Sequence, residues 1–188
     1  MMTGAQTVLS PPEVTGFVEE VVGLVSNVTV PCFASDALRS LAINHADNKS
    51  RIGEAGGVTL VLSAMRAHDT SAGVQEQACA ALCCFSANHA ANKSRIGEAG
   101  GVDVVLSTMR AHKTNASVQK QACGALQRMC VNHAANKTRI VEAGGIDLVL
   151  LAMHVHETSA GVQETGRAAL RNLSHGNPAV DARTTTQR

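Results

Sequence analysis

The hydrophobic positions of this chain fall in short, regular stripes. In "VTLVLSAMRAH", from Val58 to His68, Val58, Val61, Leu62 and Met65 follow one another at intervals of three and one, the spacing that lines one face of an α-helix. After the polar interruption "DTSAG", the stretch "VQEQACAALCCFSA" sets Val74, Ala78, Ala81, Leu82 and Phe85 on a single helical face in the same way. A third stretch, "NKSRIGEA", is short and polar and runs into Gly-Gly, a pair that can take the left-handed backbone conformation, end one helix and turn into the next. No competing strand pattern with a period of two is present. The pattern predicts a short helix, a Gly-Gly corner, a medium helix, a polar turn and a longer helix.

This arrangement repeats. "NHADNKSRIGEAGG" at Asn44 returns as "NHAANKSRIGEAGG" at Asn88 and as "NHAANKTRIVEAGG" at Asn132, one copy every 44 residues. Between 58–101 and 102–145, 29 of 44 positions are identical. A period of this size marks stacked units that share one continuous core, each touching only its neighbours. We expect three full units at 44–87, 88–131 and 132–175, preceded by a half-unit at 10–43. In the half-unit, "SPPE" makes Ser10 a helix cap with Glu13 in the capping-box position, ahead of Val14, Phe17, Val18 and Val21. Pro31 then opens a long helix. Residues 1–9 and the polar stretch 176–188 are expected to be disordered.

The residues in "VQEQACAALCCFSANHAANKSRIGEAGGVDVVLSTM" carry a resemblance. The stretch is similar to the armadillo repeat, in which an Ala-Leu-rich long helix, an Asn-Lys…Ile…Ala-Gly-Gly short helix and a Val…Val-Leu medium helix recur in register. The resemblance covers 10–175 and implies an all-α fold, a right-handed superhelix of helix triplets. The related HEAT repeat fits less well, because the Gly-Gly corner separates two helices where HEAT units have a single longer one. The family generally lacks catalytic activity and binds extended peptides in a concave groove lined by the long helices.

Composition narrows the reading further. Apolar residues make up 45% of the 188, but only Phe17, Phe33 and Phe85 are aromatic, so the core is aliphatic and small enough for close helix packing. A net charge of +1 and the scarcity of aromatics argue against nucleic acid and acidic membranes as partners. No apolar run approaches the roughly 20 residues of a membrane span. The opening residues lack the pattern of a signal peptide, and the six cysteines lack that of a disulfide scaffold, so the expected compartment is the cytosol or the nucleus.

In peptide-binding members of the resembled family, an Asn on the long helix holds the ligand backbone, since one amide both donates and accepts. That position falls on Ser40, Cys84, Arg128 and Asn172, and a commonly accompanying Trp position on Asp36, Ala80, Gly124 and Ala168. Only Asn172 matches. The importin-alpha grip on basic peptides and the strongly basic groove of beta-catenin therefore find little support. Differences between the two middle copies nonetheless gather in the latter half of the long helix, at Ala80/Gly124, Cys83/Gln127 and Cys84/Arg128, while the framework hardly changes. The expected contact ridge adds Arg39 and Arg171 from the same turn, with Gln77 and Gln121 one turn earlier supplying adaptable polar contacts.

Other candidates read as framework. His45, His89 and His133 recur, as do His68, His112 and His156, but equivalents one unit apart stand about 10 Å from each other, too far to share a zinc ion. Helix-end contacts are their expected role. Cys79 and Cys123 suit a crowded helix interface, and Cys83 and Cys84 are expected to be more exposed. Arg51/Glu54, Arg95/Glu98 and Arg139/Glu142 are spaced as i,i+3 pairs, and Lys49, Lys93 and Lys137 form a basic row able to touch phosphates. No catalytic triad spacing, P-loop or zinc-protease motif occurs, and no cofactor is implied. The expectation is a non-enzymatic protein-interaction module; the alternative is a self-associating scaffold, or part of a longer array, that stacks through uncapped ends.

Overall fold

Each Gly-Gly corner is a left-handed hinge: Gly56, Gly100 and Gly144 have φ of 83°, 74° and 79°. An L side chain is strained there, and the second glycine of each pair packs directly on the preceding isoleucine. A Cβ on Gly57, Gly101 or Gly145 would lie 2.5 Å from the Cγ2 of Ile52, Ile96 or Ile140. The corner thus folds a short helix tightly onto a medium one.

The computed structural model describes residues 12, 13, 16, 30–43 and 45–175, and among these all regular structure is helical. A long helix α1 (Val30–Ala42) is followed by three triplets. These are α2 (Ala46–Glu54), α3 (Gly57–Ala67) and α4 (Ala72–Ser86); α5 (Ala90–Glu98), α6 (Gly101–Ala111) and α7 (Ala116–Cys130); and α8 (Ala134–Glu142), α9 (Gly145–Val155) and α10 (Ala160–Ser174). Ser10, Val14, Phe17, Val18 and Val21 of the expected opening helix lie outside the described residues, although Pro12, Glu13 and Gly16 are helical. The expected end segments 1–9 and 176–188 also lie outside them.

Helices stack by kind. The long helices pack as α1 on α4, α4 on α7 and α7 on α10, the medium ones as α3 on α6 and α6 on α9, and the short ones as α2 on α5 and α5 on α8. The result is an armadillo-like solenoid with the long helices side by side along one face. Its core is continuous: Val58, Val61, Leu62 and Met65 of α3 and Val74, Ala78, Ala81, Leu82 and Phe85 of α4 are all buried, as the stripes predict. Phe85 and its counterpart Met129 are both fully enclosed, so their exchange is a core adjustment of similar volume.

Polar residues fix the spacing of the stack. Asn92, fully buried at the start of α5, donates to Lys49 O at 2.9 Å and to Phe85 O at 3.3 Å. Asn136 does the same to Lys93 O (2.9 Å) and Met129 O (3.2 Å). Each asparagine so ties three helices together, taking up one of the carbonyls that a long helix leaves unpaired at its C-terminus. Its Oδ1 lies against a glycine of the preceding short helix: a Cβ on Gly53 or Gly97 would come within 2.1 or 2.2 Å of it.

The basic row predicted at Lys49, Lys93 and Lys137 is a further lock and not a phosphate contact. Lys49 Nζ donates to Ala87 O at 2.9 Å, Lys93 Nζ to Val131 O at 2.5 Å and Lys137 Nζ to His175 O, each capping the end of the long helix in its own unit. Two of the expected i,i+3 pairs also give way. Arg95 donates to Asn92 Oδ1 at 3.2 Å, and Arg139 reaches Asp103 of α6 with contacts of 3.2 and 2.8 Å. Arg95 thus turns to an amide one turn earlier on its own helix, and Arg139 to a carboxylate of the preceding unit, in place of the glutamates expected.

Histidines serve helix ends. Nδ1 of His89 and of His133 accepts from the backbone N–H of Asn92 and Asn136 at the start of α5 and α8, while Nε2 meets Ser50 Oγ and Ser94 Oγ of the preceding unit at 3.0 and 3.1 Å. His112 and His156 bond backward to Asp69 O and Lys113 O at 2.6 and 2.9 Å.

Candidate long-helix interaction face

Because α1, α4, α7 and α10 stack in register, residues 44 apart form rows across the face. One row holds Asp36, Ala80, Gly124 and Ala168; a second holds Arg39, Cys83, Gln127 and Arg171; a third holds Ser40, Cys84, Arg128 and Asn172. Spacings of three and four residues put the three rows on one side of each helix. Ser40, Arg128 and Arg171 are exposed, and Asp36, Arg39, Cys83, Cys84, Gln127, Ala168 and Asn172 are half-buried. Gln77 and Gln121 are half-buried one turn earlier.

The first row is the floor. Ala80 is 8% exposed and Gly124 is buried, so neither offers a side chain to a partner, and their smallness lets neighbouring groups lie across them. Cys83 does this at Gly124, where an added Cβ would meet its Sγ at 3.8 Å.

Charge on the face is uneven. Asp36 accepts from Arg39 Nε at 3.1 Å, an ion pair one turn apart on α1. Arg128 faces Cys83 across the α4–α7 seam, where its charge favours the thiolate. Burial pushes the Cys83 thiol up to about 11, reinforced by Cys84 and only partly opposed by Arg128 and Lys49. Burial also raises the Cys84 thiol, against the opposing pull of Arg39, Lys49 and Arg128. Both thiols therefore stay protonated near neutrality, which suits side chains that pack and not nucleophiles. Cys79 and Cys123, both fully buried, are raised by desolvation, Cys123 to about 12.

The glutamine locks carry no sequence expectation. Gln75 donates to Met65 O at 2.8 Å and His68 O at 3.0 Å, Gln119 to Met109 O and His112 O, and Gln163 to Met153 O and His156 O. Thr108 also donates to Gln75 Oε1 at 2.6 Å, joining two units. Recurrence of a glutamine at the 44-residue period, beside an otherwise apolar stripe, was the available signal. These bonds hold each long helix to the end of its medium helix and so set the angle of the face.

A second surface feature lies between α3 and α6. It is an open cavity of about 510 Å³ lined in part by Met65, Arg66, Asp69, Asp103, Ser107 and Thr108. Arg66 on its edge donates to Ala99 O at 2.8 Å, as Arg110 does to Ala143 O at 3.0 Å, so this arginine serves the joint between units.

The profile described as LRRK2 ARM repeat matches residues 24–186. No curated protein sequence matches. Among solved structures, one engineered protein superposes with a TM-score of 0.74 and 27% identity over 85% of this chain and 63% of its own. Another engineered protein gives a TM-score of 0.76 at 27% identity, covering 87% of this chain and 39% of its own. A structure from work on a phosphorylation switch controlling the interaction between cadherin and beta-catenin has a TM-score of 0.76 at 21% identity, covering 96% of this chain and 36% of its own. The chain spans less than two thirds of each of these structures.

Proposed function

Because the chain belongs to the armadillo-repeat family, we propose that it is a non-enzymatic protein-interaction module that binds an extended peptide or a partner protein along its long-helix face. The observation that carries this reading is the contrast between framework and face. Buried positions and cross-unit locks recur almost unchanged, whereas the exposed and half-buried positions of the second and third rows read Arg39, Cys83, Gln127, Arg171 and Ser40, Cys84, Arg128, Asn172. Gln127 and Asn172 offer amides suited to a backbone, and Arg128 and Arg171 offer exposed cations beside them.

Binding is tested with a displayed library of extended peptides, selected on the intact protein and re-measured on a variant with Arg128→Glu and Asn172→Ala. Loss of an arginine anchor and an amide contact is expected to weaken selected peptides by about tenfold or more, or about 1.4 kcal/mol. The melting temperature is expected to stay within about 2 °C, since Arg128 is exposed and Asn172 lies outside the buried core. Equal affinity for the two proteins places the binding surface elsewhere.

A further inference from the structure

The joints between medium helices are built alike but finished differently. At the first, between α3 and α6, the open cavity is lined by Arg66 and Asp69 from one unit and by Val104, Ser107 and Ala111 from the next. One period on, the joint between α6 and α9 has Arg110 and Lys113 at the former positions and Leu148, Leu151 and Val155 at the latter. An acid has become a base, and a serine and an alanine have become a leucine and a valine. Leu148, Leu151 and Val155 follow one another at intervals of three and four, so they form one stripe along α9. Leu148 is partly buried on the core, while Leu151 and Val155 are 45% and 43% exposed, the large apolar side chains that stand in solvent among the described residues.

A lone exposed leucine needs no explanation. Here, however, the preceding unit shows that the fold does not require one, since Ser107 stands at the position of Leu151 in a joint that packs the same way. Charge around the stripe is also unevenly placed. At the start of α9, Arg110 donates to Ala143 O at 3.0 Å and Asp147 lies on the first turn, so that end is mixed. At the far end, His156 Nε2 meets Lys113 O at 2.9 Å, which sets Lys113 beside Val155. Lys113 is exposed, and its ammonium has no hydrogen bond or ion pair among the described residues. The acid Glu157 occupies the position of Asp69 and Lys113, on the side turned away from this joint. The stripe therefore runs from a balanced end to a cationic one.

We propose that the α6–α9 joint is a second docking surface, separate from the long-helix face, for a short amphipathic helix of a partner protein. Apolar residues of that helix, at i, i+3 and i+7, lie along Leu148, Leu151 and Val155, and a carboxylate at its end meets Lys113 beside Val155. At about 1.5 Å of rise per residue the stripe is roughly 10 Å long, the reach of two turns of a partner helix. It is too small for a second copy of this chain, because a stable dimer uses about 20–30 residues a side. Lys113 makes the surface selective for acidic helices, and the first joint, with Asp69 there and no exposed aliphatic side chain, rejects them. A partner bound here leaves the long helices free, so one molecule can hold two others together.

The test is a displayed library of helices of about 15 residues, with leucine fixed at those intervals and Glu, Lys, Gln and Ala varied around them, selected on the full chain. Each comparison variant takes residues that the protein already carries at the equivalent place: Leu151→Ser with Val155→Ala from the second unit, and Lys113→Asp from the first. Selected helices are expected to carry Glu beside a terminal leucine, to bind the first variant at least about tenfold more weakly and the second about threefold more weakly. The variant with Arg128→Glu and Asn172→Ala is expected to bind them undiminished, which separates this result from the fate of the long-helix reading. In the unsubstituted protein the methyl resonances of Leu151 and Val155 should shift when a selected helix is added. Unmoved methyls, helices that bind the variants equally well or favour Lys over Glu, or a library that yields no binder each overturn the proposal. So does a dimer in sedimentation velocity that Leu151→Ser with Val155→Ala abolishes, since a second copy then covers the stripe.

Discussion

Replacing Asn136 by alanine tests whether the buried asparagine is what holds one unit to the next. The side chain is 3% exposed and makes two bonds, to Met129 O at 3.2 Å and Lys93 O at 2.9 Å. Met129 O belongs to the last turn of α7, where the helix supplies no donor, so its loss orphans a buried acceptor at about 1–3 kcal/mol. Lys93 O lies inside α5 and keeps its ladder bond, so that loss costs about 0.5–1 kcal/mol. Together these give about 2–4 kcal/mol, or a fall in melting temperature of roughly 5–15 °C for a domain of this size. The assay is urea and thermal unfolding followed by circular dichroism. Asn48→Ala is the internal comparison: Asn48 donates to Leu41 O at 2.9 Å, and its Oδ1 has no partner among the described residues, so its loss is expected to cost less. A cost under about 1 kcal/mol for Asn136→Ala, or a larger one for Asn48→Ala, refutes the lock as argued.

Two glycines predict opposite outcomes for one substitution. Gly97→Ala forces a Cβ to within 2.2 Å of Asn136 Oδ1 and is expected to lower stability in a melt, whereas Gly124→Ala meets nothing closer than Cys83 Sγ at 3.8 Å and should gain about 0.5–1 kcal/mol from helix propensity. His89 is held below its ordinary pKa of 6.5 by burial, then by Lys49 and Arg95, so the unfolded chain takes up the proton first. The stability contributed by the neutral ring is full above pH 6.5 and is lost as pH falls through the folded value. His89→Asn keeps a capping acceptor and should flatten that part of a stability profile measured from pH 7.5 to 5; an unchanged slope counts against the assignment. With the Cys83 thiol pushed up to about 11 by burial, almost none of it is thiolate at pH 7.5. Iodoacetamide should therefore label Cys83 slowly and Cys79, Cys123 and Cys130 only on unfolding; peptide mapping that finds any of these four labelled fast in the native protein at pH 7.5 contradicts their described burial.

The helices were legible because their causes are local. Apolar spacing, the Gly-Gly corners and the 44-residue period mark each helix, and the buried stripes of α3 and α4 follow that reading residue by residue. The joints were harder to read because they are long-range. Lys49 caps a helix end 38 residues away and Arg139 answers an aspartate 36 residues back, so periodicity within a helix points instead to the nearest glutamate. The rows of the long-helix face were visible as sequence differences, but their depth was not. Ala80 and Gly124 sit low because the neighbouring long helices close over them, a matter of packing that a one-dimensional pattern does not encode.

One trait of the joints reaches beyond their strength. Asn92, Asn136, Arg66, Arg110, His112 and His156 all cross to the adjoining unit by addressing main-chain oxygens. Every residue type has that oxygen, so apart from the glycine that each asparagine needs beneath it, these couplings make no demand on the side chains the adjacent block displays. Such blocks behave like interchangeable links whose visible side can be rewritten while the coupling stays the same, and an inventory of recognition surfaces can be assembled on one unchanging chassis.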